Sequence, residues 1–288
     1  RHELEIDDYF EDPATDGYSL HLNYPILGAL PDLTANFDHV SLLTLSGNAR
    51  TPGALAFLQR FRQLRHLNVN GIHLDTAPDF IFNLPRLNSL SLSSCNIRLS
   101  PISVARIAAL RRLQSLVLHD NPLGLTPSVA AISNLIHLDL SHTLIEHLPD
   151  GLLSCLELQV ALFNNNRIRT LPAELFELPP RRSDCFYFSH NPLSQATVAQ
   201  IKAYYQRHGL TFGADAFHSD LRDARRLYPS LTIVELNQLI YDLPGTLEAG
   251  QVELARRAAE LTTLQQQLME WEQAPGTSPQ EFARRIAL

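Results

Sequence analysis

Apolar residues in this chain follow neither a simple helical period nor a simple strand alternation over its first two thirds. They follow a longer unit, L-x-x-L-x-L-x-x-N-x-L, repeated about seven times. Val40, Leu43, Leu45 and Asn48 fit the first copy, and Leu64, Leu67, Val69, Ile72 and Leu74 the second. Leu87, Leu90, Leu92, Cys95 and Ile97 follow, then Leu113, Leu116, Leu118, Asn121 and Leu123. The fifth copy is Leu135, Leu138, Leu140, Thr143 and Ile145; the sixth is Leu158, Ala161, Phe163, Asn166 and Ile168. The last is Ser183, Phe186, Phe188, Asn191 and Leu193. Successive ninth positions lie 24, 23, 26, 22, 23 and 25 residues apart.

The spacing has a physical reading. Positions 4 and 6 are two apart, so on a strand both point into a core, while position 5 points away. Position 9 lies where the chain turns off the strand. An Asn there can satisfy turn backbone groups that burial would leave unpaired. Cys95 and Thr143 can partly substitute for it. Ile72 cannot, which predicts a less well held turn. Each unit leaves an apolar face that only the next can cover.

The return segments are of two kinds. Residues 51–64 and 101–113 carry helical spacing through Leu55, Leu58 and Phe61, and through Val104, Ile107 and Leu110. Later ones read Leu-Pro-x-x-Leu, at Leu148-Pro149 with Leu152 and at Leu171-Pro172 with Leu175, where Pro suits the first turn of a short helix. Repeats of this template and length resemble those of leucine-rich-repeat proteins. The fold class expected is therefore α/β: a solenoid with a parallel sheet on its concave face, short helices outside, and a helical C-terminal extension.

The expected organisation has four parts. Residues 1–36 form an N-terminal cap and 37–193 the repeats. Residues 194–209 form a C-terminal capping helix, with Ser194 as N-cap, Val198, Ile201 and Tyr204 or Tyr205 on one face, and Gly209 as its end. A linker at 210–219 leads to a helical hairpin extension over 220–288, continuing into a domain beyond it. There, Thr232 and Glu235 make a capping box for a helix through Leu236, Leu239 and Ile240. Pro244-Gly245 breaks the chain. Leu247, Leu254, Leu261 and Leu268, with Leu264 and Trp271 between, then repeat by sevens. Residues 273–279 form a second break before a further helix from Pro279.

Positions 3, 5 and 7 of each strand fall on the concave side. The surface they form is polar, weakly charged and rich in His, Ser and Asn, cheap to desolvate and suited to a protein partner. Its candidate contact residues are His66, Asn68, Ser91, Val117, His119, His137, Asp139, Leu162, Asn164 and Tyr187, with Tyr187, Leu162 and the histidines as the anchors. Chemical readings compete weakly. His119, His137 and His142 with Asp120 and Asp139 suggest a metal site, but exposed or satisfied histidines are far commoner. Cys185 with Asp184 and His190 suggests a thiol nucleophile, but strand neighbours rarely give triad geometry. Cys95 reads as a turn residue and Cys155 as a small hydrophobe. The chain carries no phosphate loop and no glycine fingerprint. No cofactor, no resident metal and no catalytic step are expected of it.

Composition narrows the partners. The net charge of −7, without a basic stretch, weighs against nucleic acid. No run approaches the roughly 18 apolar residues of a membrane helix. Three distant cysteines make no disulfide framework, and no Asn-x-Ser/Thr sequon occurs. The chain opens on Arg1-His2-Glu3 with neither Met nor a signal core, which suggests a piece of something longer. Lys202 is its only lysine. GC-rich coding bias explains that, as does work close to ubiquitin machinery, where acceptor amines are a liability.

Two segments carry a narrower resemblance. Asn191-Pro192-Leu193-Ser194-Gln195-Ala196-Thr197, followed by a helix, resembles the end of the repeat array in secreted bacterial effectors of the NEL ubiquitin-ligase group. Leu227-Tyr228-Pro229-Ser230, through Leu243-Pro244-Gly245 to Trp271, is similar to segments of pseudomonad toxin-like repeat proteins. The resemblance implies a bacterial protein, secreted or delivered into a host cell, whose repeats recognise a substrate or restrain a ligase. Such a ligase domain carries a catalytic cysteine after the repeats. Here all three cysteines lie inside them, so no catalytic residue carries over and any ligase domain would lie beyond Leu288. The readings in play are a protein-binding effector module, the substrate-recognition part of an E3 ligase, and a non-catalytic structural or adhesion scaffold.

Overall fold

A computed structural model describes residues 17–22 and 29–273 of the chain. The chain divides into two compact units, Arg1–Leu193 and Ser194–Leu288.

The first unit is α/β and rests on one eight-stranded sheet whose neighbours follow sequence order. Its strands are β1 Tyr18–Leu22, β2 Val40–Ser46, β3 His66–Asn70, β4 Ser89–Ser93, β5 Ser115–Val117, β6 His137–Asp139, β7 Val160–Leu162 and β8 Phe186–Tyr187. All seven pairings are parallel. β2 to β8 coincide with the seven copies of the sequence motif. β1 is an eighth strand, inside the segment expected to cap the sheet. Much of that cap, and the breaks and helix expected from Ala274 onward, lie outside the described residues.

Register follows from the motif. Leu20, Leu43, Leu67, Leu90, Leu116, Leu138, Ala161 and Phe186 stand side by side on successive strands. From Leu43 to Phe186 every member of this column is buried, as are Leu45, Val69, Leu92, Leu118, Leu140, Phe163 and Phe188 two residues on. At roughly 1.5–3 kcal/mol per buried Leu or Phe, these two columns dominate the unit's stability.

The position-9 residues close the turns. Asn121 Oδ1 accepts the N–H groups of Cys95 and Ile97 at 3.0 and 2.8 Å, and its Nδ2 donates to the Leu92, Leu118 and His119 carbonyls. Asn166 does the same for Thr143 and Ile145, and Asn191 for Ile168 and the Phe163 and Phe188 carbonyls. Each Asn thus stitches its own turn to the preceding one. Cys95 Sγ donates to Val69 and Ser93 carbonyls at 3.4 and 3.2 Å, and Thr143 Oγ1 donates to the Leu140 carbonyl at 2.7 Å. Both substitutions serve, as the sequence suggests.

Two turns depart from expectation. Asn48 is exposed, and its Oδ1 accepts a local bond from Arg50 N–H at 3.1 Å. The hydroxyl of Thr51 closes this turn on itself, accepting Asn48 N–H and donating to its carbonyl. Ile72 is buried against Gly47, where any side chain would collide with it. Backbone bonds hold that turn instead: Gly47, Gly71 and Leu74 N–H donate to the Asn70, Ser93 and Cys95 carbonyls.

The return segments split as the sequence suggests. α1 spans Ala54–Leu58 and α2 Pro101–Ala108, the latter opened by a Ser100–Ser103 capping box. The Leu-Pro segments make 3₁₀ turns rather than α-helix, at Leu152–Ser154 and Ala173–Glu177. Pro172 sits just before its turn with extended ψ of 144°, so it initiates the turn instead of forming its first residue. α3, Pro180–Ser183, precedes β8.

The second unit is helical. α4 spans Gln195–His208, α5 His218–Leu227, α6 Ile233–Asp242 and α7 Leu247–Gln273. Ser194 caps α4, with its Oγ accepting Thr197 N–H, and Gly209 ends it at φ 73°. Thr232 and Glu235 form the reciprocal capping box of α6. α5 is an additional helix, so the extension is not a simple hairpin. Ala216, Ala224, Leu236, Ile240 and Leu254 form a buried apolar cluster in this unit, with Leu221, Leu227, Leu231 and Leu243 packed against it.

Candidate binding face

The motif's odd positions make three rows across the open face of the sheet. In the position-5 row, Thr44, Asn68, Ser91, Val117, Asp139, Leu162 and Tyr187 are in register on successive strands. In the position-3 row, Leu42, His66, Ser89, Ser115, His137 and Val160 align likewise. His119 and Asn164 stand one step further along their chains, at position 7.

Burial divides the ten candidates. His66, Asn68, Ser91, His119, His137, Leu162 and Asn164 are half-buried, and Tyr187 is 42% exposed. Val117 and Asp139, each only 4% exposed, are covered by their neighbours and offer a partner little. Their positions alternate outward as expected, and both are nonetheless covered. Asp139 is occupied as well: its Oδ1 accepts the Ser141 N–H and hydroxyl at 2.9 and 2.6 Å.

The polar side chains of the face are tied to one another. Asn164 Oδ1 accepts Ser189 N–H and Oγ–H at 3.1 and 2.9 Å. Ser91 and Ser93 hydroxyls are bonded at 3.1 Å. His137 Nδ1 pairs with Ser115 Oγ at 3.3 Å, and burial pushes this imidazole below its ordinary pKa while the charge of Asp139 opposes the shift. His119 Nδ1 lies 3.0 Å from Asp120, whose other oxygen is 4.0 Å from His142 Nδ1. Such a preordered, nearly neutral surface loses little side-chain entropy on contact with a partner.

Just past β3 to β8 the backbone turns left-handed. Gly71, Ser94, Asp120, His142, Asn165 and His190 all have φ between 53° and 72°. Each is the eighth residue of its motif copy, the position beside the face. Gly71 is the plainest signal of this in the sequence; Asp120, His142, Asn165 and His190 are of types that enter the left-handed region more readily than most, and Ser94 is not.

The chemical alternatives fare as follows. Among the described residues, no three His, Cys, Asp or Glu side chains are grouped to hold a metal ion. Cys185 is buried; desolvation pushes its thiol up to about 11, and its Sγ donates to the Arg182 carbonyl at 3.1 Å. That setting favours the thiol over the thiolate a nucleophile needs. Burial pushes Cys95 up to about 12 and raises Cys155 as well. No helix among the described residues is long and apolar enough to cross a membrane.

Fold and face together define an α/β protein with one sequential parallel sheet and a polar, internally bonded open face. Compared with known proteins, the chain matches no protein-family model and no curated protein.

Proposed function

We propose that the first unit is a leucine-rich-repeat solenoid that binds another protein across the open, concave face of its sheet. The observation that carries this reading is the alignment of half-buried polar residues in rows ending at Leu162 and the exposed Tyr187. Aromatic side chains of this kind, beside neutral polar groups, are what dominate protein contacts. In this reading His66, Asn68, Ser91, His119, His137 and Asn164 supply hydrogen bonds, and the chain performs no catalytic step of its own.

Delivery by a bacterial effector belongs to the same proposal and rests on the resemblance at Asn191–Thr197. A ligase activity would need a domain outside this sequence. The test is site-specific photocrosslinking. A photoreactive residue at Tyr187 should capture a defined partner from host lysate, whereas one at the still more exposed Leu156, in a return segment, should not. Tyr187→Glu combined with Leu162→Asp should lower recovery at least about tenfold, the loss expected from removing an interface anchor. Equal capture from both positions, or undiminished recovery by the double variant, would refute binding through this face.

A further inference from the structure

The second unit conceals the only lysine of the chain. Lys202 lies on α4 and is 1% exposed. Its Nζ donates to the carbonyls of Ile240, in the last turn of α6, and of Leu243, which caps that helix, at 3.1 and 2.8 Å. These carbonyls lack helical partners, so the ammonium fills a place that a helix end leaves open. α7 closes over it at Gly250, where a methyl group would stand 3.4 Å from Nζ. Asp220, itself buried, is held by bonds from Ser219 Oγ and from Nε2 of Gln251, the residue after Gly250, at 3.1 and 2.8 Å.

We propose that Lys202 is a cryptic acceptor: the folded chain offers no lysine amine to acyl- or ubiquitin-transferring enzymes, and Lys202 becomes one only when the helical unit opens. Acyl transfer needs the free amine's lone pair to attack a carbonyl carbon. A C–N bond forms, the bond to the leaving group breaks, and the amine proton passes to solvent. In the folded unit no acyl group can approach Nζ, and the amine's hydrogens are engaged by two carbonyls. Burial also lowers the pKa of Lys202, against the opposing charges of Asp242 and Asp220. The small shift toward free amine does not open a path to it. Once acylated, the nitrogen loses its charge and could not resume its place between α6 and α7. Modification during opening would therefore hold the unit open. This inference concerns the helical unit alone and stands whatever the sheet binds.

The test is acetylation of the intact chain by sulfo-N-hydroxysuccinimidyl acetate, followed by digestion and mass spectrometry. The chain's α-amine serves as internal reference. In buffer the α-amine should be acetylated while Lys202 stays unmodified; in urea both should react. Acetylation of Lys202 should be at least about tenfold slower in the folded chain than in the unfolded one, because it waits on an opening event. A smaller difference overturns the proposal. The R222K chain carries a new amine on the exposed face of α5, where the Arg222 side chain is 62% accessible. It should gain one acetyl group in buffer. If it does, lack of reaction at Lys202 reflects shelter rather than an inert reagent; if R222K stays unmodified while Lys202 reacts, shelter is refuted.

Discussion

The two units solve one problem, the pairing of buried backbone groups, in opposite ways. In the sheet unit the solution is repeated: each of Asn121, Asn166 and Asn191 ties its turn to the one before, and the leucine column passes unbroken beneath. In the helical unit it is concentrated: one ammonium, that of Lys202, serves the end of α6. A repeated solution tolerates a poor copy, as Ile72 and Asn48 show, because neighbouring turns bear the load. A concentrated one has no spare. α7 displays the difference along its own length: Leu247 and Leu254 of its seven-residue series are buried, whereas Leu264 and Trp271 are 52% and 50% exposed.

The comparison can be broken experimentally, and the largest effect belongs to the column. Leu116→Ala removes a fully buried side chain flanked by Leu90 and Leu138. It should cost about 3 kcal/mol or more, read by urea unfolding followed with a probe in the sheet unit. A loss below about 1 kcal/mol would mean the column is not a packed core. Asn121→Ala should follow at about 2–3 kcal/mol, since it strands the Cys95 and Ile97 N–H groups. Asn48→Ala, at the same motif position but solvated, should cost less than about 0.5 kcal/mol. Equal losses for the two would erase the distinction between stitched and unstitched turns. In the helical unit, Thr232→Ala removes the α6 cap and should cost about 1 kcal/mol, seen as a lower melting temperature of that unit alone.

The smallest effect is a pH dependence. Burial holds His137 below its ordinary value of 6.5 in the folded chain. The unfolded chain then binds the proton first, so stability is full above 6.5 and falls as pH drops toward the folded value. His137→Asn should flatten that part of the stability profile in buffered urea titrations. An unchanged slope would show that His137 is as free to protonate in the sheet as in the unfolded chain.

Much of the sheet was legible in the sequence because its signal is periodic and redundant: seven copies of one motif fix strand order, inward face and register together. β1 escaped because Leu20 and Leu22 have the right spacing while the residues after them lack the rest of the motif. α5 escaped because His218–Leu227 is dominated by Asp220, Arg222, Asp223, Arg225 and Arg226, leaving only Leu221, Ala224 and Leu227 as an apolar stripe. The face was legible in direction but not in depth. Alternation places Val117 and Asp139 outward, yet whether an outward side chain is covered depends on the sizes of its neighbours across the strands. The exchange of roles between Asn48 and Thr51 is a tertiary choice that no spacing announces.

The left-handed residues beside the face set terms for anyone wishing to rewrite it. Because Gly71, Ser94, Asp120, His142, Asn165 and His190 all need positive φ, valine, isoleucine and threonine are poor choices there. A combinatorial library aimed at a new specificity can therefore randomise the strand rows broadly. It should hold these six sites to glycine, asparagine, aspartate and the histidine and serine already found there, or its members will be lost to misfolding before they are ever screened.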